Sequence, residues 1–123
     1  MEQAPAPPQR ILVVEDHLIL AMQTASVLTS MGCHVVGPIT SLSDAITVVG
    51  LHPIDGAVLD FDIGGEPVSP LARLLDENGT PYIICTGTPE QARGALGLHP
   101  DRIMEKPVFR PRLEERLRRL LDA

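Results

Sequence analysis

Short, mostly apolar runs alternate along the chain with stretches whose apolar positions recur every three or four residues. The runs are residues 11–14 (ILVV), 33–36 (CHVV), 56–59 (GAVL), 82–85 (YIIC) and 102–105 (RIME), each bounded by Gly, Pro or acidic residues. Runs of this length between turn signals read as strands, and apolar side chains on both faces read as burial within a parallel sheet. Between them the period lengthens to that of a helix. Residues 17–31 place Leu18, Ala21, Met22, Ala25 and Leu28 on one predicted stripe, with Gly32 as C-cap. Ser41 caps a second helix that carries Leu42, Ala45, Ile46 and Val49 inward.

Gly64 and Gly65 predict a flexible turn after the third run, and Pro67 and Pro70 fit the start of a third helix reaching about residue 78. Thr88, Pro89 and Glu90 read as cap, first position and acidic first turn of a fourth. Gly94 and Gly97 keep that helix short, since each costs about 1 kcal/mol relative to Ala. Pro111 opens a fifth, with Leu113, Leu117, Leu120 and Leu121 on one face. Five strands alternating with five helices predict the α/β class: one doubly wound, five-stranded parallel sheet covered on both faces.

Composition narrows the function classes. A chain of 123 residues supports one core. Residues 1–9, with three prolines, read as a flexible tail, and residues 10–122 as the domain. No apolar run approaches the roughly 20 residues that span a bilayer, and no signal peptide is visible. The formal charge of −6 argues against broad nucleic-acid binding, which needs a basic surface. Cys33 and Cys85 sit in apolar stretches and read as buried thiols rather than metal ligands. These features together predict a cytoplasmic domain with neither membrane nor nucleic acid as partner.

The candidate chemistry lies where strands end. Glu15 and Asp16 follow the first run, Asp60 and Asp62 the third, Thr86 the fourth, and Lys106, the only lysine, the fifth. In an open parallel sheet, ligands bind outside the carboxyl ends of the strands. Carboxylates crowded there repel, and an oxygen-rich pocket of that kind favours a hard cation such as Mg2+. Taken singly, each residue has an ordinary structural explanation: Glu15 and Asp16 as helix caps, Asp60 as a turn former, Lys106 as a loop charge. Their joint placement fits transfer of a phosphoryl group onto Asp60, since a carboxylate can form an aspartyl-phosphate. Mg2+ would be held by Asp16, Asp60 and the backbone carbonyl of Asp62, with Glu15 reaching it through a water. Lys106 and the Thr86 hydroxyl would meet further phosphoryl oxygens, and Gly87 leaves room for their approach.

On ILVVEDH (residues 11–17), AVLDFDIGGEP (57–67), ICTG (84–87) and MEKP (104–107), the chain resembles the receiver domains of two-component response regulators. The resemblance implies a (βα)5 flavodoxin-like fold with strand order 2-1-3-4-5 and Asp60 as phosphoacceptor. It further implies a histidine kinase or histidine phosphotransfer protein as donor and a downstream protein as target. GGEPV after Asp60 is similar to receivers of alphaproteobacterial type, many of them stand-alone single-domain regulators. Such a protein takes part in its own phosphorylation and dephosphorylation, is not otherwise an enzyme, and is expected as a monomer or weak dimer. Three departures stand out. Ile103 occupies the position where the family often carries Tyr or Phe, Glu15 replaces the commoner Asp, and Gly64 stands where proline is frequent.

Two other functions compete. Asp60-Phe61-Asp62 resembles the Asp-x-Asp motif of haloacid-dehalogenase-type phosphatases, although those enzymes place it on their first strand. A non-phosphorylated interaction module would keep the fold without needing Asp16, Asp60, Thr86 and Lys106 together.

Overall fold

A computed structural model describes residues 7–122. Five strands form one parallel sheet: β1 (Arg10–Val14), β2 (His34–Ile39), β3 (Gly56–Asp60), β6 (Tyr82–Thr86) and β7 (Ile103–Glu105), in the order β2-β1-β3-β6-β7. With β4 (Asp62–Ile63) and β5 (Glu66–Pro67) set aside as a small separate hairpin, this is the expected 2-1-3-4-5 topology. Helices α1 (Leu18–Ser30) and α5 (Arg110–Asp122) cover one face; α2 (Leu42–Leu51), α3 (Ser69–Glu77) and α4 (Pro89–Leu96) cover the other. Most of the tail expected over residues 1–9 lies outside the described residues, but the Gln9 carbonyl already accepts the His34 N–H (2.8 Å).

The period-two alternation of the strands sorts their side chains into two cores. Leu12, Val14, Ala57, Leu59, Tyr82 and Ile84 face α2, α3 and α4, whereas Ile11, Val13, Val58, Ile83 and Cys85 face α1 and α5. Most of these residues are fully buried, each worth about 1.5–3 kcal/mol when it is a large aliphatic side chain. This is why the strands read as continuous apolar runs, and why their carboxyl ends are held rigidly enough to position a site.

Four local expectations are corrected. The second strand does not close at Gly37 but runs through it to Ile39, with an irregular register opposite Leu12 and Val14. Gly37 makes this possible: its φ is +113°, and a Cβ there would stand 2.7 Å from Ile39 N and 2.9 Å from Val13 O. Gly64 and Gly65 do not form a loose turn; both have positive φ and tighten a hairpin between β4 (Asp62–Ile63) and β5 (Glu66–Pro67). The last strand starts at Ile103 rather than Arg102, because a single 3-10 turn over Pro100–Arg102 precedes β7. Finally, α1 buries Ala21, Val27 and Leu28, while Leu18, Ile19 and Met22 are each about 60 % exposed. Apolar residues surround this helix near its start, so the stripe through Leu18 and Met22 was one of two available faces. The sheet and α5 take the other.

Candidate functional site

The strand ends deliver their polar residues to one rim. Glu15 and Asp16 follow β1, Asp60 ends β3, Thr86 ends β6, and Lys106 follows β7. One carboxylate oxygen each from Glu15, Asp16 and Asp60 lies within 4.8 Å of the others. Lys106 Nζ donates to Glu15 Oε2 (2.9 Å) and to Asp60 Oδ2 (3.0 Å), tying the first, third and last strands of the sheet together. Glu15, Asp60 and Thr86 are buried, Lys106 is half-buried, and Asp16 is exposed at the mouth.

Backbone N–H groups fix the acids in place. His17 N–H donates to Glu15 Oε1 (3.1 Å), Asp62 N–H to Asp60 Oδ1 (3.4 Å), and Gly64 N–H to Asp16 Oδ2 (2.8 Å). The last contact explains the hairpin's position. The double-glycine turn brings a backbone donor to the acid following β1, a link invisible in sequence because 48 residues separate the partners. His17, expected inside α1, is its N-cap and accepts the Leu20 N–H through its ring.

Electrostatics follow from this crowding. Burial pushes the Glu15 carboxyl above the ordinary glutamate range; Lys106 and the His17 N–H pull it back, and Asp60 pushes it up again. Burial works against the Lys106 ammonium, yet its hydrogen bonds to Glu15 and Asp60 outweigh that and hold its pKa above the usual lysine value. Lysine therefore stays cationic. Three carboxylates against one ammonium leave two formal negative charges, the charge a divalent cation would offset. The donor set is all oxygen, which suits Mg2+ and other hard cations and excludes none of the acids expected to hold one.

Not every predicted residue joins this cluster. Asp62, expected to contribute its backbone carbonyl, has an exposed side chain that lies outside the carboxylate group. That placement also weighs against the Asp-x-Asp phosphatase reading, in which the second Asp would act on the reacting group. Thr86 sits beside the cluster, but its hydroxyl is turned to Thr88. It accepts the Thr88 N–H (3.0 Å) and lies 3.2 Å from Thr88 Oγ1. Thr88 was legible as a helix cap; its engagement with Thr86 was not. As a result α4 begins without a side-chain cap. Ile103 is buried in the core facing α4. Cys85, beneath Lys106, is buried so deeply that its thiol is pushed up to about 12, and both cysteines are free.

Comparison with known proteins agrees with the fold. The family model described as the response regulator receiver domain matches residues 11–118. Among curated proteins none matches the sequence. The solution structure of SdrG from Sphingomonas melonis Fr1 is 27 % identical and covers 95 % of this chain and 99 % of its own, with a TM-score of 0.80. The BeF3-activated conformation of SdrG, from Pseudomonas melonis Fr1, is 28 % identical and covers 91 % and 95 %, with a TM-score of 0.73. The response regulator PhyR from Brucella abortus shares the fold at 20 % identity and a TM-score of 0.82, over 94 % of this chain. This chain spans about half (48 %) of PhyR's length. Among the described residues no helix is long and apolar enough to cross a membrane. With the family model spanning most of the sequence and the sheet in the expected order, the chain belongs to the receiver domains of the response regulators of two-component signal transduction.

Proposed function

We propose that Asp60 accepts a phosphoryl group from a histidine kinase or histidine phosphotransfer protein, in a Mg2+-dependent reaction, and that the modified domain signals by binding another protein. One observation carries this reading: Lys106 Nζ holds Asp60 Oδ2 inside a cluster of three carboxylates at the carboxyl edge of the sheet. An Asp60 oxygen attacks phosphorus, the P–N bond to the donor imidazole breaks, and the departing nitrogen keeps the electron pair. Asp16, Asp60 and the Asp62 carbonyl would hold Mg2+, with Glu15 acting through a water. The ion supplies charge neutralisation for the phosphoryl oxygens.

The chain's own residues do the rest. Lys106, held cationic, would exchange its carboxylate partner for a phosphoryl oxygen. The Asp62 N–H fixes the orientation of the Asp60 carboxylate. Thr86 would leave Thr88 to donate to another phosphoryl oxygen. The exposed Leu18, Ile19 and Met22 lie just beyond Asp16, and an apolar patch bordering a polar site suits the docking of a donor's helices. Signalling would run through residues 87–98, β7 and α5, because the loop after Thr86 leads into a short helix with Gly94 inside it. That SdrG has a BeF3-activated conformation supports the same behaviour here. On this reading the domain assists its own phosphorylation and dephosphorylation and is not an enzyme with a separate substrate.

Incubation with acetyl phosphate and Mg2+, followed by intact-mass measurement, tests it. One added phosphoryl group is expected in the native chain and none in Asp60→Asn. Undiminished labelling of that variant removes the assignment.

A further inference from the structure

The three acids of the cluster are not held alike. Lys106 reaches Glu15 and Asp60, and each of these also accepts the N–H of the residue two places on, His17 and Asp62. Asp16 is exposed and has no cationic partner among the described residues. There its carboxylate accepts one hydrogen bond, from the Gly64 N–H at 2.8 Å, 48 residues along the chain. An exposed aspartate otherwise samples several rotamers. A charge-assisted bond to one oxygen restricts that choice and leaves the other oxygen for a cation.

The donor itself is firmly mounted. Gly64 opens the turn of the β4–β5 hairpin with a φ of +60°, and the Val68 N–H closes the base of that hairpin on the Phe61 carbonyl (2.9 Å). Phe61, Ile63 and Val68 are buried in the core facing α2, α3 and α4, so the hairpin cannot swing away without exposing apolar surface. Through Asp62 N–H and Gly64 N–H it touches both Asp60 and Asp16, and so spans the acidic ends of β3 and β1.

We propose that Gly64 is a positioning residue for the metal: its N–H orients Asp16 toward Mg2+, and metal binding in turn tightens the β4–β5 hairpin. The inference rests on the reading of Asp16 as a Mg2+ ligand and adds the group that aims it. Removing a hydrogen bond that orients a metal-binding side chain typically costs about tenfold or more in affinity. Linkage then requires the bound metal to stabilise that hydrogen bond by the same factor.

Calorimetric titration of the full chain with Mg2+ tests this. Gly64→Pro has no N–H and cannot adopt the positive φ, so its affinity should fall about tenfold. Gly64→Ala keeps the N–H, and its Cβ meets nothing within 4 Å, so it should stay within about threefold of the native chain. Asp16→Ala removes the acceptor, and adding Gly64→Pro to it should cost less than about a further twofold, because the two residues act through one bond. A purely structural effect of proline on the hairpin would persist in that double variant. Hydrogen exchange gives the reciprocal readout with Gly64 intact: saturating Mg2+ should slow the Gly64 amide about tenfold in the native chain and leave it unchanged in Asp16→Ala. Unchanged affinity in Gly64→Pro, an equal loss in Gly64→Ala, additive losses in the double variant, or a native Gly64 amide indifferent to Mg2+ overturns this inference alone. Absence of Mg2+ binding by the native chain, or unchanged affinity in Asp16→Ala, overturns the metal reading and this inference with it.

Discussion

Thr88 is where an event at Asp60 would reach α4. In this structure its hydroxyl is 3.2 Å from Thr86 Oγ1, and α4 starts one residue later with its first N–H groups uncapped by a side chain. Withdrawal of the Thr86 hydroxyl to a phosphoryl oxygen breaks that pair and frees Thr88 to cap the helix. Replacing Thr88 by Val keeps the shape and removes only the hydroxyl. In the resting protein this costs one hydroxyl pair, about 0.5–1.5 kcal/mol, since Thr86 Oγ1 keeps the Thr88 N–H. In the activated protein it costs the new cap, about 1 kcal/mol, or roughly fivefold in the local opening of a helix. The helix has only eight residues with Gly94 among them, so such an increment is visible there. Hydrogen exchange with and without beryllofluoride and Mg2+ reads it directly. Amides of residues 90–96 should gain protection in the native chain and in Thr88→Ser, but not in Thr88→Val. An equal gain in Thr88→Val refutes the reasoning, as does protection that changes only on another face.

Other perturbations test separate parts of the account. Asp16→Asn keeps an acceptor for the Gly64 N–H but removes a charge, so Mg2+ affinity measured by calorimetry should fall by on the order of tenfold while metal-free stability rises; unchanged affinity would remove Asp16 from the metal site. Tyr82, the only tyrosine, donates to Asp76 and has its pKa raised to about 12, by burial first and Asp76 second. A raised phenol favours the folded state below pH 10, so about 2–3 kcal/mol of stability should be lost between pH 10 and 12, with phenolate absorbance rising over the same range; titration near pH 10 in folded protein would contradict the burial argument. Gly37→Ala should cost about 1–3 kcal/mol, read as a lower urea midpoint, because its backbone lies in the left-handed region against Val13 O.

The sheet was legible because its three inner strands are buried on both faces, and the strand-end acids were legible because apolar runs stop so abruptly at Glu15 and Asp60. What sequence could not supply was orientation. Leu18 and Met22 satisfy a helical stripe as well as Ala21 and Leu28 do; only the position of α5 and the sheet decides which face is covered. The Gly-Gly pair between Ile63 and Glu66 carried a hairpin signal, but strands of two residues are too short to show alternation. Thr86 was correctly placed at a strand end, whereas its present bond to Thr88 depends on a hydroxyl rotamer that no spacing records.

The most direct measurement concerns the modified atom itself. Borohydride reduces an aspartyl-phosphate to homoserine, so native protein treated with acetyl phosphate and Mg2+, reduced and fragmented, reports which carboxylate carried the group. The account predicts homoserine at position 60 and nowhere else, abolished by removal of Mg2+. Homoserine at position 16 or 62, a reduced Glu15, or no reduced residue at all would contradict it.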